Sequence, residues 1–250
     1  MDLGITAKRN MFSKEYGEFR KITGLATGNI YVIPERDERV ILVDCGGPLD
    51  FILIDTCLKS LSFKRGGELH LVLTHFHFDH AGSAARMKRL YNAKIWAHEH
   101  EVPILEGKEK VPVLYRKGLI GTVLLSIPFK PKGMGFSEPI VVDHAFKDGD
   151  ILPLLGGLEV IHTPGHTPGS SSFFWKEKTV LFSGDAIINT FRFLTLPTEG
   201  FSCDFELTRE SALKLAEFAH ERGIRALCTG HGPVIEKPSI QISRFRKRVL

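Results

Sequence analysis

Short apolar runs, bounded by glycine, proline or charge, fill the first hundred residues and return after residue 150. They lie at 29–33, 39–43, 51–55, 69–73, 94–97, 158–162, 171–175, 179–182 and 225–228. Their length and their Val, Ile, Leu and Phe content predict buried or half-buried strands. Pro48 and the Gly46-Gly47 pair punctuate the first group as turns. Helical patterns are fewer. Residues 79–91 are rich in Ala, Arg, Lys and Met. Residues 206–222 place Leu207, Leu213 and Ala216 at helical spacing and stop at Gly223, and residues 239–248 follow Pro238. Strands that come in groups as well as alternating with helices predict a layered α/β protein with mixed sheets.

Residues 101–148 break this rhythm, with five prolines, five glycines and apolar patches such as 119–125. A long irregular stretch inside a compact domain reads as a lid or pocket wall. With that insertion, residues 1–250 are expected to form one domain.

Composition narrows the class without naming a function. The chain has 250 residues, 43% hydrophobic and 25% charged, with a net charge of +4. That is too apolar for disorder, and the charge excess is small for a dedicated nucleic-acid binder. No apolar stretch reaches membrane-spanning length. The first 20 residues lack the apolar core of a secretory signal, so a cytoplasmic location is expected. Cys45, Cys57, Cys203 and Cys228 form no CxxC pair and read as reduced, mostly buried thiols. The basic stretch at 244–248 reads as a solvated helix end.

The chemistry is concentrated in histidine and aspartate. Thr74-His75-Phe76-His77-Phe78-Asp79-His80 follows directly on the apolar run 71–73, in a loop at a strand's C-terminal end. Three further residues share that grammar: His166 beyond the run ending at 162, Asp185 beyond 180–182, and His231 beyond 226–228, each beside a glycine. Strand ends on one side of a sheet converge, so five histidines and two aspartates gathered there would make a two-metal site. Imidazole and carboxylate without thiolate suit Zn(II), with iron or manganese as the alternatives. Two such ions would lower the pKa of a bridging water to give hydroxide near neutral pH and would polarise a carbonyl or phosphoryl oxygen. His70, His98, His100, His144, His162 and His220 read as structural, and Asp44, Asp50 and Asp55 as caps or turns. Phe191, Arg192, Phe193 and Phe201 read as core or as the wall of an apolar pocket, and Tyr115 as a hydroxyl that could reach the metals.

Over residues 29–233, outside 101–148, this pattern resembles the metallo-β-lactamase superfamily. The stretch TPGHTPGSSSF at 163–173 is similar to its glyoxalase II-like hydrolases. The resemblance implies a four-layer αβ/βα sandwich of two mixed β-sheets flanked by helices, with the active site at one edge. It implies His75, His77 and His166 as ligands of a first divalent ion, Asp79, His80 and His231 of a second, and Asp185 as the bridge; Asp79, as a carboxylate held beside the nucleophile, is also expected to move protons. The chain departs from glyoxalase II proper in having only 19 residues after His231, so glutathione specificity is not expected. Antibiotic hydrolysis is not expected either, for want of a secretory signal. The reading is a dinuclear hydrolase, zinc the first choice, acting on a small ester, thioester or lactone. Mononuclear iron persulfide dioxygenase and phosphodiesterase or nuclease are the alternatives. No membrane or nucleic-acid partner is expected, and a monomer and a homodimer are both open.

Overall fold

The computed structural model describes residues 13–25, 28–35, 38–111, 138–190 and 193–250. Among these, the first half builds β1 (Ser13–Glu15), β2 (Arg20–Thr23), β3 (Asn29–Pro34), β4 (Arg39–Val43), α1 (Phe51–Ser60), β5 (Glu68–Val72), α2 (Phe78–Ala81), α3 (Ala84–Tyr91), β6 (Lys94–His98), α4 (Val102–Leu105) and β7 (His144–Phe146). The seven strands pair in sequence order, antiparallel from β1 to β4 and parallel from β4 to β7. Parallel neighbours need crossovers, and the helices between them supply these.

The second half contributes β8 (Ile151–Leu152), β9 (Leu158–His162), β10 (Ser171–Trp175), β11 (Val180–Gly184), β12 (Ile188–Thr190), β13 (Phe193–Thr195), α5 (Phe205–Glu221), β14 (Ala226–Thr229), β15 (Ile235–Glu236) and α6 (Ser239–Val249). A six-stranded sheet runs β15-β14-β11-β10-β9-β8, antiparallel except for the β11–β14 pair, while β12 and β13 form a separate hairpin.

The strands' apolar runs are continuous because both faces of each sheet are covered. Alternation assigns the faces. In β4, Val40 and Leu42 join the core beneath α1 and α3, whereas Ile41 and Val43 join the core between the sheets. In β10 and β11, Phe173, Trp175, Val180 and Phe182 point into that inter-sheet core, and Phe174 and Leu181 pack against α5 and α6. The order of layers is therefore helix, sheet, sheet, helix, which is the expected sandwich.

Three expectations are corrected. Residues 51–55 are not a strand but the first half of α1, where Phe51, Ile54, Cys57 and Leu58 form its buried stripe. So short an apolar run fits either element on periodicity alone. The helix expected over 79–91 is two, α2 and α3, parted at Gly82-Ser83, where the Ser83 hydroxyl donates to the Gly47 carbonyl. The 101–148 stretch is not irregular throughout. Its ends supply α4 and β7 and bury Glu101, Ile104, Leu105, Ile140 and Phe146. Residues 112–137, with Tyr115 and most of the expected lid, lie outside the described residues, as do Phe191 and Arg192.

All four thiols are free, and three of them are buried. The basic stretch at 244–248 is the last part of α6, where Arg246 pairs with Glu217 and Phe245 is buried. Among the described residues no helix is long and apolar enough to cross a membrane.

Candidate metal centre

Parallel pairing carries β4 and β5 to one edge of their sheet, and β11 and β14 to one edge of theirs. The segments that follow β5, β11 and β14, together with the β9–β10 loop that carries His166, hold all seven residues singled out by sequence, Asp79 and His80 lying in α2. Imidazole centroids lie 4.7 Å apart for His75–His77, 4.9 Å for His75–His166 and 4.6 Å for His77–His166. Asp185 sits among the rings, with Oδ1 3.6 Å from His80 Nε2 and Oδ2 3.5 Å from His166 Nε2 and 3.2 Å from His231 Nε2. Asp79 Oδ2 lies 3.4 Å from His231 Nε2 and 3.8 Å from His80 Nε2. Ligand atoms within 4.8 Å of one another group as His75, His77 and His166, as Asp79, His80 and His231, and as His75, His80 and Asp185.

Outer hydrogen bonds turn these rings inward. Thr74 Oγ1 donates to Asp44 Oδ2 at 2.8 Å, so its lone pair faces His75 Nδ1 at 2.9 Å and accepts from it. His80 Nδ1 donates to Asp44 Oδ2 at 2.8 Å, and His166 Nδ1 lies 3.2 Å from Ser202 Oγ. Each Nδ1 is thereby engaged, and each Nε2 is directed into the centre, the arrangement that orients metal-binding imidazoles.

The donor set fits divalent cations. His75 Nε2, His77 Nε2, His166 Nε2 and Asp185 Oδ1 are buried and have no hydrogen-bond partner. Buried polar atoms are rarely left so, and four that converge call for positive charge rather than apolar packing. Burial, reinforced by neighbouring rings, holds His75 and His166 well below the usual imidazole range, and burial pushes His77 down to about 4. These three rings are neutral at physiological pH and keep their lone pairs. Burial also opposes charge on His80, yet Asp185, Asp79 and Asp44 outweigh it and hold this ring up at about 10. His80 must shed that proton to act as a ligand.

Two residues that organise the centre escaped the sequence reading. Asp44 is no cap. It closes β4, accepts the Thr74 N–H at 2.8 Å, and holds His80, with its own backbone at φ +59°, a strained conformation for a residue with a Cβ. It stands at a strand end before a glycine pair, the same grammar as the other seven, and could have been found on that ground. Glu101 is wholly buried and accepts from Phe76 N, Gly169 N and Thr167 Oγ1 at 2.7, 2.6 and 2.9 Å, tying the 75–80 loop to the 163–170 loop. Burial pushes its carboxyl up to about 7 against those bonds. Nothing in its local sequence marks it. Asp50 keeps its expected turn role, accepting from Leu25 N and Gly47 N.

Asp44→Asn keeps the side-chain shape and the left-handed tolerance but replaces one oxygen by a donor. Metal affinity and turnover are expected to fall about 10–100-fold, as for other losses of an outer partner of a ligand, with the folded circular dichroism spectrum retained. Equilibrium dialysis and steady-state rates check this.

Above the centre opens a cavity of about 360 Å³ lined by His77, Asp79, His166, Asp185 and His231 on its floor and by Phe78, Ile188, Pro197, Thr198 and Phe201 on its walls. Phe201 thus takes the pocket-wall role, whereas Phe193 is exposed on β13.

The sequence model of the metallo-beta-lactamase superfamily matches residues 23–231. The chain is 32% identical over 219 residues to the probable metallo-hydrolase YflN of Bacillus subtilis, a match covering 82% of this chain and 80% of that one. It is 29% identical over 163 residues to the hydroxyacylglutathione hydrolase GloC of Haemophilus influenzae, covering 64% of this chain and 66% of that one. Its fold is similar to that of the BLEG-1 B3 metallo-beta-lactamase, with a TM-score of 0.65 at 24% identity over 88% of this chain and 95% of that one.

Proposed function

The chain belongs to the metallo-beta-lactamase superfamily of metal-dependent hydrolases, and from that premise we propose that it hydrolyses a small ester, thioester or lactone at a two-metal centre, zinc being the ion its ligands suit best. The observation that carries the reading is the convergence of three unpartnered imidazole nitrogens and one unpartnered carboxylate oxygen, with His77, His166 and Asp185 at the floor of a cavity and His75 buried beside them. His75, His77 and His166 would hold one ion, Asp79, His80 and His231 the other, and the two oxygens of Asp185 face both sets. When bound, two such ions lower the pKa of water and polarise a carbonyl oxygen.

The remaining work belongs to the chain. Asp79, at the cavity floor, stands where it can take a proton from the attacking water and return it to the leaving group. Asp44 and Thr74 keep the ligand rings in one tautomer and one orientation through the cycle. Phe78, Ile188, Pro197 and Phe201 take up an apolar acyl or alcohol portion and thin the water around the reacting carbonyl.

The cavity wall favours this reading over the phosphodiesterase. Among the described residues the cavity wall holds no Lys or Arg, so an anionic phosphodiester would find no counter-charge from the protein there. Metal analysis separates the mononuclear iron alternative, two equivalents of a zinc-like ion favouring hydrolysis and one iron with oxygen consumption favouring the dioxygenase. The similarity to GloC, named as a hydroxyacylglutathione hydrolase, supports a thioester among the options. A panel of metal-reconstituted assays on aryl esters, S-acyl thioesters, lactones and bis(p-nitrophenyl) phosphate tests the reading. Turnover of the phosphate alone would reverse it.

The pocket wall gives a prediction of its own. Phe201 is 40% exposed and lines the cavity, so Phe201→Ala leaves the fold intact. The loss of its apolar area is expected to raise KM for a substrate with a hydrophobic acyl chain roughly tenfold while kcat holds. A short acetyl substrate should show little change in either constant.

A further inference from the structure

Three polar residues interrupt the apolar face that the first sheet turns toward the second. Alternation puts Asn29 and Tyr31 on the same side of β3, and Lys21 of β2 pairs opposite Tyr31. Tyr31 belongs to the core between the sheets, and all three side chains are buried. Buried polar groups need partners, and a lysine is almost never buried without one. Here the partners lie largely on the other sheet, in the turn at 229–232 that carries His231.

The bonds converge on that turn. Asn29 Nδ2 donates to the carbonyls of Thr229 at 2.8 Å and Gly232 at 2.7 Å, and so brackets His231 from both sides. Asn29 Oδ1 accepts from Lys21 Nζ at 2.9 Å. Carbonyls only accept and an ammonium only donates, so the amide fits one way round. The Asn29 backbone N–H donates to the Gly230 carbonyl at 2.7 Å, and the Tyr31 hydroxyl donates to the Thr229 carbonyl at 2.7 Å. Lys21 Nζ adds a longer bond to the Gly232 carbonyl at 3.2 Å.

The start of β3 also meets a second ligand. Gly28 forms an antiparallel bridge with His231, and a methyl added at Gly28 would run into the Asp79 carbonyl oxygen. Residues 28 and 29 thus abut two members of the group Asp79, His80 and His231. The group His75, His77 and His166 is held from elsewhere, through Glu101, which joins the 75–80 and 163–170 segments.

Resting on the two-metal reading, we propose that Asn29 is a positioning residue for His231, whose amide governs occupancy of the ion held by Asp79, His80 and His231 and not of the ion held by His75, His77 and His166. The His231 ring is partly exposed, with Nε2 3.2 Å from Asp185 Oδ2 and 3.4 Å from Asp79 Oδ2. A turn that loses its bracket carries that ring away from both carboxylates. Lys21 and Tyr31 act at one remove, the first by holding the amide and the second by sharing the Thr229 carbonyl.

Competition for zinc between the full chain and a chromophoric chelator resolves the two equivalents. Asn29→Ala is expected to hold one as tightly as the parent and the other about 10–100-fold more weakly, as when an outer partner of a ligand is lost. Asn29→Asp keeps the shape and the bond from Lys21 but loses both donors, and should weaken the same equivalent. His231→Ala should weaken that equivalent too, and the double variant with Asn29→Ala should bind no more weakly than His231→Ala alone, because the two losses act on one ligand. Parental affinity for both ions in the folded Asn29 variants, equal weakening of both ions, or losses that add in the double variant would each overturn the proposal. A parent that binds a single ion would sink the two-metal reading by itself. The role of Asn29 is then decided by whether its loss and that of His231 remain non-additive for that one ion.

Discussion

Asp185→Asn is expected to lower kcat/KM for ester or thioester hydrolysis by roughly three powers of ten, several kcal/mol of transition-state stabilisation. The carboxylate is buried, and its two oxygens lie 3.2–3.6 Å from the Nε2 atoms of His231, His166 and His80. The amide has nearly the same volume, so the surrounding packing stays. What is lost is one negative charge of the two that the ligand set supplies, and one oxygen becomes a donor aimed at imidazole lone pairs. Bound metal should fall together with the rate. A variant with full metal and full rate would remove Asp185 from the account.

Gly230→Ala tests the same centre by shape instead of charge. A Cβ at this position would lie 2.0 Å from Asp185 Oδ1 and 2.9 Å from both the Gly184 carbonyl carbon and His80 Cε1. None of these can retreat freely, since one is backbone and His80 is held by Asp44 at 2.8 Å. Asp185 is therefore displaced by an ångström or more, and a misplacement of that size costs about a hundredfold in rate. Gly66→Ala is the control, because nothing lies within 4 Å of the added methyl and that residue's backbone is not left-handed. It should match the parent in rate and in metal content. A Gly230→Ala variant equal to its control would contradict the bridging role proposed for Asp185.

The centre was largely legible in the chain because its parts obey a local rule. His75, His166, Asp185 and His231 each follow an apolar run and adjoin turn residues, and the sandwich turns those separate strand ends toward one edge. The four layers were legible for a related reason. Runs such as 180–182 are apolar at every position because both faces are buried, Val180 and Phe182 against the other sheet and Leu181 against α5 and α6. Where the rule is not local, sequence reading failed. Glu101 acts through hydrogen bonds to residues 25 and 66–68 positions away, and no neighbour in sequence announces them. Residues 51–55 were ambiguous because five apolar-rich positions fit a strand as well as the buried stripe of a helix.

Release of thiol from a hydrophobic S-acyl thioester, followed as metal is added back to chelator-treated protein, puts the central claim to its most direct test. The account predicts no release without metal and a rate that rises to a plateau as the centre fills, with zinc among the effective ions. Undiminished release by metal-free protein would contradict it, as would cleavage of bis(p-nitrophenyl) phosphate with no thiol release at any loading.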